Sequence, residues 1–212
     1  MRPIQITWSP KTANTANFNA QGFNSTGAAT APTTTTTDDG LAHLVTLIAP
    51  VQATLAGVAF LITGTDANGA PLTETIAAGP ASGATATSTK HFLTISTIKP
   101  NATMGALTLA IGTAAESICP MIPLEWRSVA AAAITVKVTG TVNFTLYETY
   151  ANPFNNQVED CPWVSVTALA AKAATTSSTV TVGDQAVRLM ANTVTNGATL
   201  TLYITQAAGY AL

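Results

Sequence analysis

From Leu41 onward, apolar and polar residues alternate with the period of two that marks half-buried strands. In Gly57 to Thr65, Val58, Phe60 and Ile62 fall on one face, and after Asp66-Ala67-Asn68-Gly69 the segment Leu72-Thr73-Glu74-Thr75-Ile76 alternates back. Asn-Gly supplies the two positive-φ positions of a type I′ turn, so these segments are predicted to form a hairpin. Phe92 to Ile98 and Met104 to Ile111 read as further strands parted by Lys99-Pro100-Asn101, and a first unit closes near Ala115. Beyond Cys119-Pro120-Met121-Ile122-Pro123, residues Ile134, Val136 and Val138 alternate with Thr135 and Lys137. Thr139-Gly140-Thr141 then turns the chain into Val142, Phe144, Leu146, Glu148 and Tyr150, a second predicted hairpin. Another Asn-Gly pair, Asn196-Gly197, joins Val187 and Leu189 to a return strand over Ala198 to Gln206. Only Ser165 to Thr175, around Ala168-Leu169-Ala170-Ala171-Lys172, has the look of a short helix.

These elements predict an all-β fold of β-sandwich type: two small antiparallel β-domains in tandem, residues 41–117 and 118–212, or one sandwich built from all the strands. Residues 1–40 differ. Thr12 to Gly40 is rich in Asn, Thr, Gly and Ala and includes the run Thr33 to Thr37, which predicts an extended N-terminal arm. Such an arm is ordered only when pinned along an edge of its own sheet or by an adjacent subunit. The phrase Asn68-Gly69-Ala70-x-Leu72-Thr73-x-x-Ile76 recurs from Asn196 to Ile204, which either an internal duplication or shared hairpin chemistry explains.

Composition adds one unusual quantity. Asp, Glu, Lys and Arg make up only 8% of the 212 residues, against about 25% in ordinary soluble domains. Thr, Ala, Ser, Asn and Gly fill the polar positions, 47% of the chain is hydrophobic and the formal charge is −2, which argues against disorder. A surface with so little charge has little to keep copies apart, and faces of Thr, Ala and Asn are cheap to desolvate, so the chain is expected to form homo-oligomers. Eight basic residues scattered from Arg2 to Arg188 form no stripe that could track phosphates, and no nucleic acid partner is expected. Met1 to Trp8 has no apolar core of secretory length, which predicts a chain that folds in the cytoplasm where it is made. Leu41 to Gly64 is nearly free of charge, but Pro50, Gln52 and Gly57 interrupt it, so no membrane span is expected.

The residues offer little for catalysis. There is no Gly-x-Ser-x-Gly elbow, phosphate-binding glycine loop or His-Glu-x-x-His sequence. His43 and His91 read as satisfied strand residues instead of general bases, and Asp38-Asp39 and Glu159-Asp160 as turn or solvated-loop carboxylates instead of metal ligands. No catalytic, cofactor or metal residue is therefore assigned, and no cofactor is expected. Cys119 and Cys161, each followed by proline, read as buried or half-buried thiols, with a bridge between them open if the fold juxtaposes them. Asn24, Asn101 and Asn143 begin Asn-x-Ser/Thr triplets expected by chance in a threonine-rich chain. Trp8, Trp126 and Trp163 read as core or joint packing, the alternative being a sugar-binding platform.

Leu61 to Ile76, followed by a Gly/Ala/Thr loop and Thr89-Lys90-His91-Phe92-Leu93-Thr94-Ile95, resembles a motif of small virion structural proteins of tailed bacteriophages. So does Ile122-Pro123-Leu124-Glu125-Trp126 leading into Val136 to Tyr150 and Asn152-Pro153-Phe154. The resemblance covers about residues 57 to 210. It implies a disulfide-free β-protein present in many copies in the virion, at the head–tail junction (neck or collar), in the tail, or on the capsid as a decoration protein. It transfers no catalytic residues. The partners it implies are copies of the chain and neck, tail or major capsid proteins; a host-surface or glycan-binding module is the alternative from another class.

Overall fold

A computed structural model describes residues 3–51, 54–124, 131–154, 157–180 and 184–206, without the side chains of 20 and 21. In chain order the strands are β1 (Ile4–Trp8), β2 (Asn14–Phe23), β3 (Ala42–Ile48), β4 (Phe60–Thr65), β5 (Pro71–Ile76), β6 (Thr85–Phe92), β7 (Thr94–Pro100) and β8 (Leu109–Ile118). They continue with β9 (Ile122–Pro123), β10 (Ala132–Thr139), β11 (Val142–Thr149), β12 (Val164–Ser165), β13 (Thr176–Val180), β14 (Ala186–Val194) and β15 (Thr199–Thr205). The fold is all-β and of sandwich type. The predicted helix over 165–175 is only a 3-10 turn, Thr167–Leu169, followed by Ala171 at φ +50°. That left-handed residue ends any helical path.

The chain forms two compact units, residues 1–12 with 118–212, and residues 13–117. The units are nested in sequence and not in tandem, because β1 pairs antiparallel with β15, Ile4 opposite Ile204 and Trp8 opposite Leu200. Of residues 1–40, expected as an arm, those described from Pro3 onward are divided between the units, and strands β1 and β2 within them lie on the chain's own sheets. Ile4, Ile6 and Trp8 share one face of β1 at alternate positions, and Phe18 and Phe23 of β2 are buried. These side chains supply the apolar area that holds the low-complexity segment down.

In the 13–117 unit, one sheet has the order β2-β8-β3-β6 and the other β5-β4-β7. The segment 30–36 extends the second sheet by bridging β7 at Thr30–Ile98 and Thr36–Thr94. Counting that segment as the second of eight strands in chain order, the two sheets read first-eighth-third-sixth and second-seventh-fourth-fifth. Both sheets contribute to one core that includes Phe18, Leu47, Phe60, Ile62, Phe92, Ile95 and Ile111. The other unit repeats this order with β1 and then β9 to β15. Its sheets are β1-β15-β10-β13 and β12-β11-β14, with β9 paired to β14. The ladders β1–β15, β10–β13, β10–β15, β11–β12, β11–β14 and β9–β14 are antiparallel. Each unit is therefore a jelly roll, two four-stranded sheets closed face to face.

The structure corrects three turns. The Asn68-Gly69 hairpin forms between β4 and β5, but only Gly69 takes positive φ, at +80°. The Asp66 carboxylate fills the loop by accepting from the N–H groups of Asn68 (2.8 Å) and Ala70 (2.9 Å), so the connection is not type I′. Thr139-Gly140-Thr141 and Asn196-Gly197 make no hairpins. They carry the chain from one sheet to the other, β10 to β11 and β14 to β15. These arches lie against each other: Thr195 donates to Thr141 O through its N–H (2.9 Å) and Oγ1 (3.1 Å). A Cβ on Gly140 would meet Ala198 Cα at 3.0 Å. The repeated Asn-Gly phrase thus falls before the fifth strand of one roll and the eighth of the other, which is not the placement a duplication would give.

Candidate functional site

The ionisable side chains are drawn into local pairs. His43, on β3, places Nε2 3.0 Å from both carboxylate oxygens of Asp39 and Nδ1 2.8 Å from Ala114 O, so both ring nitrogens face acceptors. The histidine and aspartate side chains are each 1% exposed, so of the turn and solvated-loop roles expected for Asp38-Asp39, Asp39 does not take the solvated one; its carboxylate also accepts from Leu41 N–H at 3.0 Å. His91, on β6, meets Glu116 of β8 at 3.0 Å. The hydrogen bond from His91, aided by the charge of that ring, holds the Glu116 carboxyl below its usual range against the opposing effect of burial. Both histidines are held by partners within their own unit.

In the other roll, Arg188 of β14 donates to Glu159 at 2.9 Å, with side chains 13% and 5% exposed. Glu159 lies in a 3-10 turn, Val158–Asp160, so of the turn and solvated-loop roles expected for Glu159-Asp160 it takes the turn, with its side chain buried. The guanidinium lies 4.4 Å from the ring centroid of Trp163 and 5.9 Å from that of Tyr147, its register partner on β11. Trp163 Nε1–H is anchored on Val158 O at 2.7 Å. The cluster clamps the segment after β11 onto the sheet, and burial lowers the Arg188 pKa despite the nearby carboxylate. Cys161 belongs to the same turn, its Sγ 3.5 Å from Gln157 O, and burial pushes its thiol pKa up. Cys119 and Cys161 are buried thiols not joined in a disulfide.

Trp163 is stacked on Arg188 instead of being displayed, and Trp8 lies in β1 beside Leu200. Trp126 and Glu125, part of the resemblance quoted above, lie outside the described residues. Among the described residues no group of three or more His, Cys, Asp and Glu side chains is placed to hold a metal ion. A groove in the 13–117 unit is lined by Ile48, Ala49, Pro50, Leu109 and Ala110, none of them ionisable. The exposed large apolar residues include Tyr150, Phe154 and Val164 around the end of β11 and its neighbour β12. What the arrangement provides is two rigid sandwiches with sparse charge and several strand edges.

No family model and no curated protein matches the chain. A phage capsid protein is among the solved structures. It is described as the crystal structure of the major capsid protein P2 from Bacteriophage PM2, and the match spans 98% of this chain and 100% of that one. Identity is 10% and the TM-score 0.22, a superposition too poor to establish a shared fold. No helix among the described residues is long and apolar enough to cross a membrane.

Proposed function

We propose that the chain is a structural component of a bacteriophage virion, working by packing against copies of itself and other virion proteins, and not an enzyme. The observation that carries this reading is the pair of complete jelly rolls in one chain. Viral capsid proteins, lectin domains and cupins all use that architecture, so the choice among them rests on the side chains. A lectin displays aromatic platforms; here Tyr150 and Phe154 are exposed, but Trp163 is stacked on Arg188 and does not join them as a displayed ring. A cupin gathers its histidines at one centre, whereas His43 and His91 are each engaged with a different carboxylate. A chain with only 8% charged residues has few charges to desolvate, which suits permanent contact with neighbours. Of the neck, tail and capsid positions that the sequence resemblance implies, the jelly rolls favour a place on the capsid.

Light scattering on purified protein over a wide concentration range, alone and with candidate capsid, neck and tail proteins, tests the reading. Closed oligomers, or assembly onto a capsid partner, support it. A monomer indifferent to every partner, together with saturable binding to a glycan array, would replace it with a recognition module.

A further inference from the structure

Strand edges are where a β-protein either invites or repels another chain, and the edges here are not alike. β9 and β12 are two residues long. β5 begins with Pro71 and carries Glu74, whose carboxylate reaches over to accept from the N–H groups of Thr89 (2.7 Å) and Lys90 (2.8 Å) on β6. β2 is covered by the segment following it, through Thr34 N–H to Phe18 O at 3.0 Å. β1 lies between Pro3 and Pro10, with Arg2 and Lys11 just beyond them. Proline and charge at both ends are devices that keep an edge from pairing.

β13, Thr176-Ser177-Ser178-Thr179-Val180, has none of these devices. It is the outer strand of its sheet, Ser178 opposite Ile134 of β10, and the nearest charged residues in sequence are Lys172 and Asp184. The direction of its backbone groups follows from β10. Val138 N–H points to the β13 side, where it meets Thr175 Oγ1 at 3.0 Å, so the even-numbered residues of β10 face β13. Thr135 Oγ1 and Ser177 Oγ, 2.8 Å apart, have the close side-chain approach of the intervening non-hydrogen-bonded pair. The N–H and C=O groups of Ser177 and Thr179 are therefore directed away from β10, and among the described residues no N–H or C=O of another strand meets them.

We infer that β13 is a self-pairing edge, which joins the β13 of a second copy antiparallel about a two-fold axis and merges two four-stranded sheets. With the axis at Ser178, Ser177 of each copy exchanges both backbone hydrogen bonds with Thr179 of the other, and the two Ser178 residues form the non-hydrogen-bonded pair between them. The occupant is a second copy because the edge is its own complement. Its donors and acceptors match under the two-fold, the side chains of the paired residues Ser177, Ser178 and Thr179 are small hydroxyls, and no like charges are brought together. A five-residue ladder buries far less than the roughly 1,200 Å² of a stable free-standing interface, so the pairing is concentration-dependent and strengthens wherever other contacts gather the copies. This pairing does not depend on the virion role, which stands or falls by assembly with partners.

The test is Ser178→Cys, oxidised over a range of concentrations and read on non-reducing gels. A non-hydrogen-bonded pair brings Cα atoms to about 4.5 Å, within disulfide reach. Expected is a covalent dimer that grows with concentration and is absent from the unsubstituted protein, whose two cysteines are buried. Adding Thr179→Lys, at an exposed position, should cut its yield at least tenfold while the far-ultraviolet spectrum stays unchanged. No dimer at any concentration, or a dimer untouched by Thr179→Lys, would overturn the inference. So would preferential cross-linking of Ser178→Cys to Gln5→Cys in a mixture, which would place the neighbour's β1 on this edge.

Discussion

Gly64→Ala puts one methyl group where two strands of the 13–117 roll come closest. Gly64 lies on β4 at a register shift in the ladder with β7. A Cβ there would overlap Thr94 O and lie 2.8 Å from Thr94 C and 3.1 Å from Ile95 Cα. These are backbone atoms, which no rotamer change can move aside. β7 must shift outward, and Ile95 and Ile98, both fully buried, move with it. Overpacking of this kind costs about 1–3 kcal/mol, and one weakened ladder hydrogen bond adds about 1 kcal/mol, so we expect a loss of about 2–4 kcal/mol. For a chain of this size that lowers Tm by about 4–16 °C. All three tryptophans have numbers outside 13–117, so their fluorescence reports on the other roll, and the assay is urea unfolding followed by far-ultraviolet circular dichroism. Gly105→Ala is the control: Gly105 has φ +66° but open space around it, so only backbone strain of about 1 kcal/mol is expected. A Gly64→Ala loss no larger than that of Gly105→Ala would refute the close approach of β4 and β7.

Glu159→Ala strands the Arg188 guanidinium in its aromatic slot and should cost about 3–5 kcal/mol, whereas Glu159→Gln with Arg188→Met should recover much of it; thermal unfolding of these two variants and of the single variants Glu159→Gln and Arg188→Met checks the coupling. Glu116, whose folded pKa lies below its ordinary 4.5, contributes stability that is present above that value and lost as pH falls through the folded pKa. Urea midpoints should therefore decline below about pH 4.5 with a slope that Glu116→Gln reduces, and an unchanged slope would remove the His91 contact from the account. Cys161, buried and with its thiol pKa raised, should be alkylated at least an order of magnitude more slowly in the native protein than in urea, as followed by intact mass.

The strands legible in the sequence were those whose inward positions are apolar. β4, β5 and β11 follow from the alternation of Phe60 and Ile62, Leu72 and Ile76, and Phe144 and Leu146. Thr85 to Thr89 of β6 and Thr176 to Thr179 of β13 give no period to detect, because hydroxyl side chains occur on both faces there. Sheet membership was also hidden. A single positive-φ glycine serves a hairpin or an arch equally well, and Gly140 makes an arch because β10 finds β15 and β11 finds β14, long-range choices that no local window contains. The ion pairs were hidden for a similar reason: the fold brings Glu116 to His91 across 25 positions and Glu159 to Arg188 across 29.

The central claim, a shell protein made of two jelly rolls, is tested most directly by counting and locating the chain in purified phage particles. Quantitative mass spectrometry would give copies per particle, and electron cryomicroscopy would place the density. The account predicts many copies distributed over the capsid, each with two sandwich-shaped densities. Absence from the particle, or a handful of copies confined to the neck or tail tip, would contradict it.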